Sequence, residues 1–202
     1  MVFGFMSMAL FTPSPGNPMS ETIRQLHADH VNMVRLLDLI EEQRELLQTG
    51  QMPDYVLMMD IMQYMTNYPD LFHHPREDVI FRRVTEYDRN ARSMVDDLIR
   101  DHETLARQGA ALFDLLHAVV HEQPVERETL ETKLREYTST LRAHMNVEEG
   151  QFFPIAREIL QEEDWEKVDE VMGNREDPLF GKNIVEAEYL ALYEHIRAHE
   201  PL

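Results

Sequence analysis

Apolar positions recur at spacings of three and four along most of this chain, and no stretch alternates with the period of two that a strand needs. The chain therefore reads as almost wholly helical. The first helix is expected from about Thr22 to Gln48, opened by a capping box of Thr22 with Gln25 and stopped by Gly50, with Ile23, Leu26, His30, Met33, Leu37 and Ile40 in one stripe. A second, from Pro53 and Asp54 to about Val84, turns Met59, Met62, Thr66, Pro69, His73, Glu77 and Ile80 to one face, and its interior Pro69 and Pro75 predict a kink or bulge. The third, about Asn90 to Glu122, aligns Val95, Leu98, His102, Leu105, Gly109, Leu112 and Leu116. The fourth follows Pro124 and presents Leu130, Leu134, Tyr137, Leu141, His144, Glu148, Ile155 and Ile159, with Pro154 perturbing its end. Short links favour antiparallel neighbours, so the expected fold is all-α, an up-down-up-down four-helix bundle over residues 21–160.

Residues 161–202 read as a helical extension, with one short helix at 164–172 stopped by Gly173 and another from Asn183, capped by Asn183 with Glu186. Residues 1–20 read as a disordered leader, and Met19 is an alternative start. Their apolar run MVFGFMSMALF is shorter than the roughly 20 residues that cross a bilayer and lacks the basic opening of a secretory signal. Neither a membrane partner nor export is expected, and the chain is assigned to the cytoplasm.

Composition narrows the chemistry. Acidic residues outnumber basic ones 38 to 19, a formal charge of −19, and no basic patch faces phosphates, so nucleic acid is excluded as a partner. The absence of cysteine removes disulfides, thiolate nucleophiles and thiolate metal sites together, so any metal must be held by imidazole and carboxylate.

Such groups are present twice in the same order. Each half has a lone histidine on an apolar face preceded by aspartate (Asp29–His30, Asp101–His102), then a helix carrying H-x-x-x-E (His73 with Glu77, His144 with Glu148) and an aromatic eight residues after that histidine. His73 follows His30 by 43 residues and His144 follows His102 by 42. Each H-x-x-x-E pair shares one helix face. A carboxylate in an apolar stripe costs several kcal/mol unless something pairs with it, and the inner stripes hold no Lys or Arg, so a cation is the expected partner. A dinuclear site would use Glu77 and Glu148 as bridges, with His30 and His73 on one metal and His102 and His144 on the other. This donor set suits iron, manganese or zinc, and two iron ions are the assignment adopted.

Other features take plainer readings. His74 with Asp78 is a competing i, i+4 pair, weighed below His73 with Glu77, and His74 stays open as an additional ligand. Met52, Met58, Met59, Met62 and Met65 are read as core filling rather than a copper site. His27, His117 and His121 are assigned to solvent, His195 and His199 to a surface or capping role, and Asp29 and Asp101 to a solvated face by their helical phase. Tyr137 is either a pocket residue or a satisfied core tyrosine.

The ordered set His30, His73/Glu77, His102, His144/Glu148 resembles the hemerythrin-like, or HHE cation-binding, family, whose bacterial members share H, HxxxE, H, HxxxE on four helices. The resemblance covers roughly residues 20–160 and implies a di-iron four-helix bundle. Its members are variously oxygen carriers or stores, oxygen or nitric oxide sensors, iron sensors, or proteins that repair iron centres. Oxygen-carrying members place H-x-x-x-H on the third helix, whereas here Ala106 stands four residues after His102. The repair proteins add an N-terminal cysteine segment, which is missing here. Three functions therefore follow as expectations: a protein that binds or senses oxygen or nitric oxide, a protective enzyme that consumes peroxide, oxygen or nitric oxide or repairs iron centres, and a metal-stabilised interaction module contacting a protein through the C-terminal helices.

Overall fold

The computed structural model describes residues 21–172, 177–181 and 185–199, and among them there is no strand. The expected leader at residues 1–20, the Gly173 stop and the Asn183 cap lie outside those residues. Eight α-helices are described: α1 (Glu21–Gln48), α2 (Tyr55–Tyr68), α3 (His74–Tyr87), α4 (Arg92–Val120), α5 (Arg127–Val147), α6 (Phe153–Ile159), α7 (Glu162–Met172) and α8 (Leu190–His199). None is long and apolar enough to cross a membrane.

Local chemistry sets the ends. Gly50 ends α1 in the left-handed region (φ 81°), where the Gln51 N–H donates to the Leu46 carbonyl at 2.9 Å. The same closure ends α4, with the Gln123 N–H on the Ala118 carbonyl at 2.8 Å, although Glu122 rather than glycine takes the positive φ of 57°. Asp54 caps α2 by accepting from the Leu57 N–H at 2.9 Å.

Two single π-helical turns, Pro69–His73 and Glu148–Phe152, join α2 to α3 and α5 to α6. Each ends two residues before a proline, Pro75 or Pro154. A proline ring clashes with the carbonyl four residues back, here Leu71 or Gly150, and both of those residues fall inside the widened turn that relieves the clash. The bulge expected from Pro69 and Pro75 is thus one of a pair.

Four continuous rods result: α1, α2 with α3, α4, and α5 with α6. They pack as a closed ring in which α1 touches α2 and α5, and α4 touches α2 and α5, the arrangement of an antiparallel bundle. Every inner position expected on the first and third helices is buried. On α2 the buried face is wider than expected, taking in Leu57, Met58, Ile61, Tyr64, Met65 and Tyr68 and leaving Met59 and Thr66 half-buried. The cause is α8 with the 3-10 turn before it, which cover a second side of α2 with Tyr189, Leu192 and Ile196.

Two departures follow from backbone geometry. The π turn at Glu148–Phe152 adds one residue, so Phe152, Phe153, Ala156 and Leu160 face the core, while Ile155 and Ile159, expected inside, are only partly buried. The last helix begins at a 3-10 turn, Ala187–Tyr189, because Glu186 before it is extended (ψ 144°).

The core falls into two apolar clusters. One gathers Met33, Leu37, Met62, Met65, Leu105, Leu112, Leu134 and Leu141, and the other Leu26, Ile80, Phe81, Val84, Leu98, Phe152 and Phe153. Between them, on every rod, lies a polar layer of His30, His73, Glu77, His102, His144 and Glu148.

Candidate metal centre

All six histidine and glutamate positions of the doubled motif are buried, and Glu77 and Glu148 are 0% exposed. The layer is arranged as two pairs of imidazoles flanking two carboxylates. His30 and His73 meet Nε2 to Nε2 at 3.0 Å, and so do His102 and His144. Glu77 sends Oε1 toward His73 (3.2 Å) and His30 (3.4 Å) and Oε2 toward His102 (3.4 Å). Glu148 sends Oε1 toward His144 (3.2 Å) and His102 (3.8 Å) and Oε2 toward His30 (3.4 Å). Despite this crowding, none of the four carboxylate oxygens has a hydrogen-bond partner.

The outer ring nitrogens explain why. His73 Nδ1 donates to Asp29 Oδ2 at 3.0 Å, His30 Nδ1 to Glu149 Oε1 at 2.8 Å and His102 Nδ1 to Asp78 Oδ1 at 3.1 Å. A carboxylate only accepts, so each Nδ1 carries the proton and each neutral ring turns an Nε2 lone pair inward. Two protonated rings cannot aim N–H groups at each other across 3.0 Å, so each imidazole pair holds one inward proton at most. Two such charges face five carboxylates: Glu77, Glu148, Asp29, Asp78 and Glu149. The deficit of positive charge, the converging lone pairs and the unbonded oxygens together fit bound cations.

Titration reflects the same imbalance. Burial pulls the histidines down, yet the carboxylates reverse it: Glu77 and Asp29 push His73 up to about 9, Asp78, Glu148 and Glu77 push His102 up to about 11, and the nearby carboxylates of Glu148, Glu149 and Glu77 hold His30 well above its usual value. Burial raises Glu77, but the charge on His73 and the nearness of His102 and His30 carry it well below the usual carboxylate range. Burial and the charge on Glu77 raise Glu148, and His144 and His102 more than offset both.

Three expectations need correction. Asp29, assigned to a solvated face, is 0% exposed and also accepts from Gln25 Nε2 (2.8 Å) and from the Tyr68 hydroxyl (3.4 Å). It sits about 100° from His30 around α1, which turns it toward α2 rather than toward water. Its counterpart Asp101 is half-exposed and stands 3.7 Å from His144 Nδ1, which has no hydrogen-bond partner. His27, assigned to solvent, is half-buried with Nδ1 3.1 Å from Glu149. Arg76 is buried although no cation was expected inside, but after burial itself the groups that act most on Glu77 are His73, His102 and His30, and on Glu148 they are Glu77, His144 and His102.

Glu149 escapes the sequence reading, and Asp78 enters it only as a partner of His74. The signal was there in the acidic doublets Glu77–Asp78 and Glu148–Glu149, placed alike in both halves. The repeated aromatic behaves unequally. Phe81 stacks on His102 (5.5 Å between centroids, 21°), whereas the ring on His30 is Phe153 (5.6 Å, 14°) and not Phe152, which packs edge-on against Phe81. The π turn at Glu148–Phe152 supplies that one-residue offset.

His74 is buried with its neighbour. Its ring stacks on His102 at 4.3 Å and meets His144 edge-on at 5.9 Å, and Nδ1 lies 3.2 Å from Asp70 Oδ1. Asp78, its proposed partner, turns instead to His102. Burial, helped by the charges on His102 and His73, lowers His74 to about 4 against the raising effect of Asp70. Tyr137 is a core residue beside Gly109. Met58, Met62 and Met65 are core filling, while Met52 is exposed. His117 and His121 are exposed and stack on each other at 4.0 Å, and His195 is half-buried on α8.

Two groups of donor atoms lie mutually within 4.8 Å, one from His30, His73 and Glu77 and the other from His74, Glu77, His102 and His144. This buried cluster can hold metal. A family model described as the hemerythrin HHE cation binding domain matches residues 21–156. No curated protein matches the chain.

Proposed function

Because the chain belongs to the hemerythrin HHE cation-binding family, we propose that its buried layer holds two iron ions and that this non-haem di-iron centre binds or senses oxygen or nitric oxide. Glu77 and Glu148 would be shared between the two ions, with His30 and His73 serving one and His102 and His144 the other. The observation that carries the proposal is the division of each carboxylate, whose two oxygens face different imidazole pairs and make no hydrogen bond. Imidazole with carboxylate suits iron, and manganese and zinc share that preference. Bound iron supplies open coordination places and one-electron chemistry for a small ligand.

The chain's own residues prepare that chemistry. Asp29, Glu149 and Asp78 hold the Nδ1 protons, which fixes the tautomer and keeps Nε2 aimed inward. Phe81 and Phe153 lie flat over His102 and His30 and keep water from those sides. A cytoplasmic setting and a protein contact through residues 161–202 complete the proposal.

The test is anaerobic. The iron-loaded protein is reduced, oxygen or nitric oxide is added in known amount, the absorption spectrum is followed and the sample is degassed. A spectral change that reverses supports binding or sensing. Continued loss of oxidant under a reductant identifies a protective enzyme instead, and metal-dependent melting without any ligand response identifies an interaction module. Less than about one metal per chain after loading removes the di-iron proposal altogether.

A further inference from the structure

Resting on that two-metal reading, we propose that His74 is a ligand of one position only, so that the two metals differ: His74, His102 and His144 serve one, and His30 and His73 serve the other. The grouping of donor atoms carries this. Nitrogen of His74 falls within 4.8 Å of donors from His102, His144 and Glu77, while His30 and His73 form a separate group, and Glu77 alone belongs to both.

The backbone explains how adjacent histidines serve different ions. His73 is the last residue of the widened turn and His74 the first of α3, about 100° further round, so one ring meets His30 on α1 and the other crosses to His102 on α4. The ring spacings agree. His74 lies 4.3 Å from His102 and 5.9 Å from His144, bracketing the 4.9 Å of His30 with His73 and the 4.7 Å of His102 with His144. Asp70 at Nδ1 leaves Nε2 for the ion, the same division of labour that Asp29 imposes on His73. The third rod, α4, offers no such group, since Ala106 follows His102 by one turn. The extra imidazole enters from the second rod instead.

Cobalt(II) titration of the full chain, with a competing chelator and the visible d–d bands as readout, tests the assignment. Wild-type protein binds two ions with distinct affinities and distinct bands. His74→Phe keeps a flat ring against His102 but removes the donor: one step weakens by about tenfold or more and its band changes, while the other is untouched. His74→Gly shows the same loss, and added imidazole restores the step. Wild-type affinities and bands in His74→Phe, or equal weakening of both steps, overturn the proposal. Should His74→Phe fail to fold, the imidazole response of His74→Gly decides alone, and no response overturns it. A wild-type chain that binds fewer than two ions sinks the two-metal reading itself, an outcome separate from any His74 result.

Discussion

The Asp29 carboxylate stands 3.0 Å from His73 Nδ1 with no exposure to solvent, whereas Asp101, its counterpart in the second half, is 44% exposed in its side chain and 3.7 Å from His144 Nδ1. A buried partner fixes an imidazole more firmly than an exposed one, because water does not compete for it. Asp29→Asn is expected to weaken metal binding by about 10- to 100-fold, measured by chelator competition. Asp101→Asn is expected to change it much less. A larger loss from Asp101→Asn would contradict the role given to Asp29.

Glu148 faces both imidazole pairs, whereas His121 is an exposed ring stacked on His117. Glu148→Ala is expected to lose most of the bound metal and to abolish the rise in melting temperature on metal addition. That rise reflects about 2.7 kcal/mol when free metal is 100 times its dissociation constant. His121→Ala, altering an exposed ring stacked on His117, keeps both. Metal content by elemental analysis and thermal melting with and without metal check the pair, and equal metal in the two variants counts against the assignment.

What could be read from the residues followed the regularity of the helix. On α1 and α4 the backbone is unbroken, so His30 and His102 appear inside at the expected phase. The α5–α6 rod departs from that phase only past Glu148, where the π turn rotates the inner stripe onto Phe152, Phe153 and Ala156. Phase also misplaced Asp29, because helical periodicity marks a direction but not what lies there, and the second rod with Tyr68 fills that side. The wide buried face of α2 depends on α8, more than a hundred residues away in the chain, and no local pattern reveals it.

Stability of the metal-free protein is expected to peak near about pH 6.5. Raised histidines contribute stability that is fully present below their usual 6.5 and is lost as pH climbs through about 9 for His73 and about 11 for His102. On the acid side, His74 stays neutral down to about 4 and so opposes folding progressively below 6.5. Glu77 and Glu148, both depressed, add a further loss as pH falls below their usual 4.5. Metal must displace the inward protons, so loading moves the maximum to higher pH and affinity grows with pH. Circular-dichroism melts across pH 4–10 on stripped and loaded protein test both parts. A stripped protein most stable at pH 9 would show that the imidazoles do not carry those protons.

One substitution at two glycines separates packing from backbone effects. A Cβ on Gly109 would sit 3.0 Å from Thr66 Cγ2 and 3.4 Å from Tyr137 Cε2, and Thr66 is pinned by its hydroxyl, which donates to the Met62 carbonyl at 2.9 Å. Gly109 thus lets α4 approach α2 closely. Overpacking of this kind costs about 1–3 kcal/mol, against about 0.5–1 kcal/mol gained by replacing a helical glycine, so Gly109→Ala loses on the order of 1 kcal/mol. A Cβ on Gly150 meets nothing within 4 Å, and only the backbone gain remains. Gly150→Ala is expected to add about 0.5–1 kcal/mol, a rise of a few degrees in melting temperature for a chain of this size. Gly150 lies two residues past Glu148 on the solvent side of the π turn, so metal affinity should not move. Opposite signs in the two melts, with equal metal content, are the expected result; a loss of metal in Gly150→Ala would mean that the shape of this turn, and not only its neighbours' chemistry, aims Glu148 at the site.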